Sequence, residues 1–451
     1  MSERAQRRRA LALGALLALA LLLRLAAALA AGERELRGDE GYYVGAATEI
    51  RDHGTHPGAF RPPGYAAFVA AVLWLTGDGL GAVRWAQALL SLVVIVAVFD
   101  IAQRRFGTGP ATVSALLCAT SPTLVHYTQT FWSETLVTTG LCLLVWSFDV
   151  LDRNGRTAWA VVTGLVLGLS ALTREMYLYF APLVALCLVL GPRDQRRRRV
   201  RHGALLLGTS CLVLLPWAVR NYQAYGRFEL STNRWYPIAL GTLPARDGTL
   251  LGLPDERRLI AAYNEIDDPA AAEEMARGLA VTQIVAQQPW WIFRKAVRST
   301  YFLFAPVSQL TRFVERGWLL ADHPGYGRWL VRAELAHYVV LMLLGIGGLW
   351  LVPGGRTQLL VAALVLFHLA IYVIANANHR FRVPLLPLFA LYAGPMAYLR
   401  IARGPYQRAR MFGAAACGAA FVLIVGAGGE LHTGRRHAAE PPVADPLDDG
   451  Q

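Results

Sequence analysis

The sequence predicts an all-α integral membrane protein: a bundle of about eleven transmembrane helices with short amphipathic helices at one face. Three observations carry this. Of the 451 residues 55% are hydrophobic, and mean hydropathy is +0.37, too apolar for a soluble chain of this size. Long apolar runs recur from end to end, near the length that crosses a bilayer as a helix. The arginines gather in short connections between those runs, the signature of membrane topology. Inside lipid the backbone must satisfy its own hydrogen bonds, so helix is the default. The alternating segments of a membrane barrel are not seen.

The first span is read at 10–31, behind Arg4, Arg7, Arg8 and Arg9. Ala28-Leu29-Ala30 resembles a cleavage site, but the apolar stretch exceeds the roughly 7–15 residues of a signal h-region, so it is expected to stay as a helix. Spans follow at 80–101, 109–125, 133–150, 157–172, 176–190 and 203–219, then at 331–351, 357–375, 383–400 and 410–428. With the N-terminus in the cytoplasm, every cytoplasmic connection is short and basic. Connection 102–108 has Arg104 and Arg105, 151–156 has Arg153 and Arg156, and 191–202 has Arg193, Arg196, Arg197, Arg198, Arg199 and Arg201. Connection 352–356 has Arg356, and 401–409 has Arg403 and Arg408. The formal charge of +13 therefore reports topology, not nucleic-acid binding. Cys118, Cys142, Cys187, Cys211 and Cys417 all fall in apolar spans without metal-ligand spacing and read as small core hydrophobes. Lys295 is the only lysine, and with the abundant Ala, Leu and Gly this suggests a GC-rich bacterial genome; the expected location is a bacterial inner membrane.

This divides the chain into a transmembrane module (1–219) with its first outer loop at 32–79, an extracytoplasmic helical lid (220–330), C-terminal spans (331–428) and a Pro- and Asp-rich disordered tail (429–451). In the lid, Pro254-Asp255-Glu256 and Asp268-Pro269 open helices. Segment 289–306 is aromatic and apolar but holds Arg294, Lys295 and Arg298; it reads as an interfacial helix. A crossing there would invert the last three spans.

The first outer loop is much longer than a turn needs. Asp39 and Glu40 follow Gly38 and precede Tyr42, Tyr43, Ala46, Ala47 and Ile50, a short amphipathic helix with Asp39 at its start, where the dipole favours a carboxylate. Such a group can deprotonate a hydroxyl, bind a divalent cation or simply cap the helix. Arg61-Pro62-Pro63-Gly64-Tyr65 makes a rigid bend that either only turns the chain or also aims Arg61 into a cavity. His53 and His56 are weak metal-ligand candidates on a loop. Arg174 and Glu175 lie between two spans and either pair with one another or serve function. Glu134 opens a span, as an interfacial cap or a site residue. Arg380 and Arg382, beside His379, sit where the charge rule does not call for arginine; they hold a phosphate or snorkel to headgroups.

Together these pieces resemble the polytopic GT-C glycosyltransferases, notably the bacterial members like glycosyltransferase family 39, which include protein O-mannosyltransferases and lipid A aminoarabinose transferases. The likeness rests on Arg37-Gly38-Asp39-Glu40-Gly41-Tyr42-Tyr43, Arg61-Pro62-Pro63-Gly64-Tyr65, Ser121-Pro122 with Ser133-Glu134, and Leu172-Thr173-Arg174. It continues in Pro216-Trp217-Ala218-Val219-Arg220-Asn221, Gly226-Arg227-Phe228, Ser231-Thr232 and His379-Arg380-Phe381-Arg382-Val383-Pro384. The resemblance implies a GT-C-like bundle and a polyprenyl-phosphate sugar donor. It implies inverting transfer on the extracytoplasmic side to a lipid, glycan or protein acceptor. Asp39 matches the general base, with Glu40 orienting the acceptor or binding metal. Arg174, Arg380 and Arg382, then Arg61, match the groups that hold the donor phosphate, and Tyr43, Tyr65, Glu134 and His379 would line the substrate pocket. Some members use a divalent metal and others none, so the resemblance implies no required cofactor and leaves a divalent metal open. A large soluble C-terminal domain, common in some relatives, is not expected, which leaves the acceptor open. The competing reading is a transporter or flippase of a lipid-linked saccharide, which would put charges near mid-membrane and repeat broken helices.

Overall fold

The computed structural model describes residues 3–32, 34–77, 79–190, 195–243, 254–266, 268–398 and 407–434. It is helical throughout, with no strand among the described residues. Seven of its helices are long and apolar enough to cross a membrane: α1 (Glu3–Ala31), α4 (Leu80–Phe106), α7 (Glu134–Asn154), α10 (Arg196–Tyr225), α16 (Pro324–Leu351), α17 (Gly355–Ile374) and α19 (Gln407–Gly434). The other expected spans are shorter helices: α5 (Thr108–Ala119), α8 (Thr157–Thr173), α9 (Met176–Val189) and α18 (Leu386–Ala397). The chain is thus a multi-pass membrane bundle, but a count of eleven crossings is not established.

Proline explains two differences from the expected spans. Stretch 109–125 breaks at Ser121-Pro122: α5 ends, and α6 (Pro122–Tyr127) starts anew with the Ser121 side chain accepting from the Leu124 N–H. The start of 383–400 is instead a 3₁₀ turn, His379–Leu385, containing Pro384. At the C-terminus α19 runs to Gly434, past the expected start of the tail at 429; residues 435–451 lie outside the described residues, as do 191–194 and 401–406 of the expected basic connections.

Lipid-facing positions keep exposed leucines, among them Leu22, Leu29 and Leu212. The interior closes by near-backbone contact, as in other membrane bundles: a Cβ on Gly348 of α16 would meet the Tyr392 carbonyl oxygen of α18 at 2.1 Å.

The expected lid holds α11 (Tyr236–Thr242), α12 (Pro254–Asn264), α13 (Pro269–Ala286), α14 (Trp291–Phe304) and α15 (Gln309–Glu315). Its first three helices share a small core of Ala239, Leu240, Leu259, Tyr263, Ala272 and Ala276, against which Phe60 of the first loop packs. Buried Glu273 accepts the Arg234, Trp235 and Tyr236 N–H groups at 3.0, 2.6 and 3.4 Å. These are the unpaired donors at the start of α11. In α14 every fourth residue (Trp291, Lys295, Ser299, Leu303) is buried, while Trp290, Phe293 and Val297 are exposed. One face packs and the other is apolar and open, the form of a helix lying in an interface. Lys295 Nζ donates to the Gly241 carbonyl at 2.7 Å, tying α14 to α11.

Candidate active site

Helix α2 (Asp39–His53) and helix α3 (Gly64–Thr76) build one wall of the site. Gly38, at φ 55°, turns the chain so that Asp39 and Glu40 fall in the first turn of α2; a side chain at that φ would be strained. The two neighbours then diverge.

Glu40 is fully buried. Arg34 donates to its oxygens at 2.5 and 2.7 Å, and the backbone N–H groups of Arg37 and Phe131 donate at 2.8 and 2.9 Å. Its acceptor sites are taken by the fold, so the expected role beside Asp39, orienting an acceptor or binding metal, does not suit it. Glu40→Gln should lower stability by about 1–3 kcal/mol, because one buried donor loses its acceptor; thermal unfolding in detergent measures this.

Asp39 faces the other way, between two guanidinium groups. Arg61 Nη2 donates to Oδ1 at 2.7 Å and Arg380 Nη2 to Oδ2 at 2.6 Å. The Arg61 bend also donates to the Tyr43 hydroxyl at 3.2 Å. It is anchored by Gly64, where a Cβ would lie 2.7 Å from the Leu172 carbonyl oxygen, two residues before Arg174. Gly64→Ala should therefore destabilise by about 1–3 kcal/mol through overpacking, read as a lower unfolding midpoint.

Arg380 lies in the 3₁₀ turn, whose start Asn378 caps by accepting the Arg380 N–H at 3.1 Å. Its Nε is 3.7 Å from Glu134 Oε1, and Arg174 Nη2 donates to the same oxygen at 2.9 Å. Arg174 reaches the Tyr372 hydroxyl at 3.4 Å. Five groups thus form one line of alternating sign: Arg61, Asp39, Arg380, Glu134, Arg174. Three cations meet two anions, so the line carries one positive charge in excess, at side-chain exposures of 1–25%. Aromatic faces frame it. Arg380 lies over the Trp132 ring, 5.5 Å from its centroid, and Arg174 over Phe381 at 5.2 Å, while Tyr372 and Phe381 stack at 4.5 Å. Burial alone would raise the Asp39 carboxyl, but Arg380 and Arg61 outweigh it and hold the group below the usual carboxylate range. A group with a depressed folded pKa stabilises the fold above its ordinary pKa, and that contribution is lost only as pH falls through the lower value. Asp39 is an anion at neutral pH.

Other expected residues fall elsewhere. Arg382, expected on the phosphate, donates to the Leu303, Ala305 and Val307 carbonyls and lies 4.1 Å from the Tyr338 ring centroid. It anchors the chain between α14 and α15 and is outside the line. His379 is buried against Gln309, its Nε2 3.1 Å from Oε1, and burial drives it to the neutral form; it lines no part of the charge line. Tyr65 is a core residue bonded to Gln87 at 3.0 Å, whereas Tyr43 meets Arg61. Glu175 accepts from Ser231 and Tyr179, so Arg174 pairs with Glu134 and not with its neighbour. Trp132, Tyr372 and Phe381 were not anticipated; no motif or spacing connects them.

A divalent cation needs several oxygen or nitrogen ligands free to converge. Asp39 and Glu40 are engaged as described. His53 is exposed, 4.0 Å from Glu49, and His56 is buried against Trp217 with Nδ1 3.2 Å from the Gly58 carbonyl oxygen. No three potential ligands converge among the described residues, so the donor set does not fit a metal.

Across 94% of this chain the bundle matches the archaeal oligosaccharyltransferase AglB from Archaeoglobus fulgidus in complex with an inhibitory peptide and a dolichol-phosphate, with TM-score 0.54 and 14% identity. The chain has the GT-C fold. The apo form of the Archaeoglobus fulgidus enzyme matches over 92% of this chain, with TM-score 0.52 and 14% identity. The chain spans about half the length of these structures, 55% and 56%. A family model described as dolichyl-phosphate-mannose-protein mannosyltransferase matches residues 60–219, the part of the GT-C bundle that contains Arg61, Glu134 and Arg174. No curated protein matches the sequence.

Proposed function

We propose that this GT-C bundle transfers a sugar from a polyprenyl-phosphate donor to an acceptor hydroxyl, with inversion, at the extracytoplasmic face of a bacterial inner membrane and with the N-terminus in the cytoplasm. The observation that carries this is Asp39 held between Arg61 and Arg380 with Arg174 one carboxylate further on. A base and a cationic cradle stand side by side, at helix ends on one rim. A transporter would instead place such charges near mid-span.

The acceptor oxygen bonds to the anomeric carbon as the bond from that carbon to the phosphate oxygen breaks on the opposite face. The acceptor proton passes to Asp39, and the electron pair leaves with polyprenyl phosphate. Arg174 and Arg380 neutralise the departing phosphate, the task for which a guanidinium fork is suited. Binding of the phosphate draws Arg380 from Asp39 and so restores basicity to a carboxylate that is a weak base while doubly paired. Helices α11–α15 close over the rim and keep water from the donor.

Binding of polyprenyl phosphate to protein in nanodiscs tests the cradle. Arg174→Ala is expected to raise Kd about ten- to hundredfold, the value of a charged hydrogen bond. An unchanged Kd removes Arg174 from the cradle.

A further inference from the structure

A cavity of about 460 Å³ lies between α1, the 120–130 stretch, α15 and α16. Its walls include Ala27 of α1, Phe313 of α15, and Trp329 and Ala333 of α16; His126 and Gln129 line it as well. Most of its lining is apolar, with Arg34, Thr120, Thr130 and His337 as further polar residues in the wall, and its size holds a small amphiphile. The helices forming its sides also carry exposed Leu22, Leu29 and Tyr326, so it sits against the lipid-facing surface of the bundle.

Its inner wall differs. Segment 126–132 carries four buried polar atoms with no hydrogen-bond partner among the described residues, His126 Nε2, Tyr127 OH, Gln129 Oε1 and Trp132 Nε1, and two of these residues, His126 and Gln129, line the cavity. Buried polar groups are nearly always satisfied, so the His126 and Gln129 atoms in the cavity wall need partners that the fold does not supply. The segment is continuous with the charge line. His126 meets Phe313 edge-on at 5.0 Å, Phe313 meets Trp132 at 6.1 Å, and Arg380 covers the Trp132 ring.

We propose that the cavity binds the acceptor and that the acceptor is a hydroxyl-bearing lipid. Its apolar chain fills the space between α1 and α16, and its polyhydroxyl headgroup lies against His126 and Gln129, supplying partners to their two orphan atoms and bringing a hydroxyl toward Asp39. This rests on the transferase reading above and gives it an acceptor class.

The probe is a monohexosyl diacylglycerol with a diazirine midway along one acyl chain, irradiated with the full chain in nanodiscs. Adducts are expected on peptides from residues 23–31 and 329–337, about tenfold weaker in Ala27→Trp and in Ala333→Phe, which fill the cavity from opposite walls. His126→Ala should weaken labelling by the glycolipid but not by the same diacylglycerol without its sugar. Adducts spread evenly over the lipid-facing helices and insensitive to both filling variants overturn the site. So does labelling of these peptides by a diazirine polyprenyl phosphate that displaces the glycolipid, which would make this the donor's groove, and so does displacement by a serine-rich peptide. Failure of the transferase reading shows separately, as unchanged sugar transfer in Asp39→Asn, whatever the adduct pattern.

Discussion

Asp39→Asn is expected to slow sugar transfer by about a hundred- to ten-thousand-fold, the worth of a positioned general base, while the protein still folds. The amide keeps the shape, and its single oxygen still accepts from one of the two arginines that bond the carboxylate at 2.7 and 2.6 Å, but its NH2 faces the other guanidinium and it takes no proton. The pH dependence of the unmodified protein sharpens this. In the free protein Arg380 and Arg61 hold Asp39 below the usual carboxylate range. Once donor phosphate draws Arg380 away, its pKa rises. The acid limb of kcat/KM reports the free protein and that of kcat the complex, so the limb of kcat should lie at the higher pH. Coincident limbs would mean that Arg380 does not move between the two anions.

Glu134→Gln should cost about 3–5 kcal/mol of stability, as removal of one partner from a buried ion pair does, because Arg174 and Arg380 both face that carboxylate. Denaturant or thermal unfolding in detergent measures it. The same change raises the excess positive charge of the line, so polyprenyl phosphate should bind no more weakly than to the unmodified protein. The size of the stability loss separates the present assignment from a plain helix cap, whose removal costs about 1 kcal/mol.

Much of the bundle was legible because bilayer crossing imposes a length and an apolarity that a single run displays, and arginine marks the connections. Where proline intervenes the run misleads: 109–125 is uncharged throughout, yet it divides at Pro122 into α5 and α6. The site was legible only in part. Asp39 and Glu40 are adjacent, and a helix turns successive side chains by roughly 100°, so one faces two guanidinium groups while the other faces the backbone of Phe131. Which neighbour does which depends on packing that no local pattern states. Arg380 and Arg382 pose the same difficulty two residues apart. Glu134 and Arg174 were each visible, but their pairing joins the start of α7 to the end of α8 across 40 residues, and the Tyr372–Phe381 stack and the Trp132 wall involve aromatic residues no different in sequence from lipid anchors.

Release of polyprenyl phosphate is the most direct measurement. Purified protein in nanodiscs would be incubated with a panel of labelled polyprenyl-phosphate sugars and a membrane-lipid extract as acceptor source, alongside Asp39→Asn. The expected result is release of polyprenyl phosphate with stoichiometric labelling of the extract by the unmodified protein for one of the sugars, and neither by Asp39→Asn. Equal release and labelling by the two proteins would contradict the assignment of Asp39 and its arginines as the transfer site.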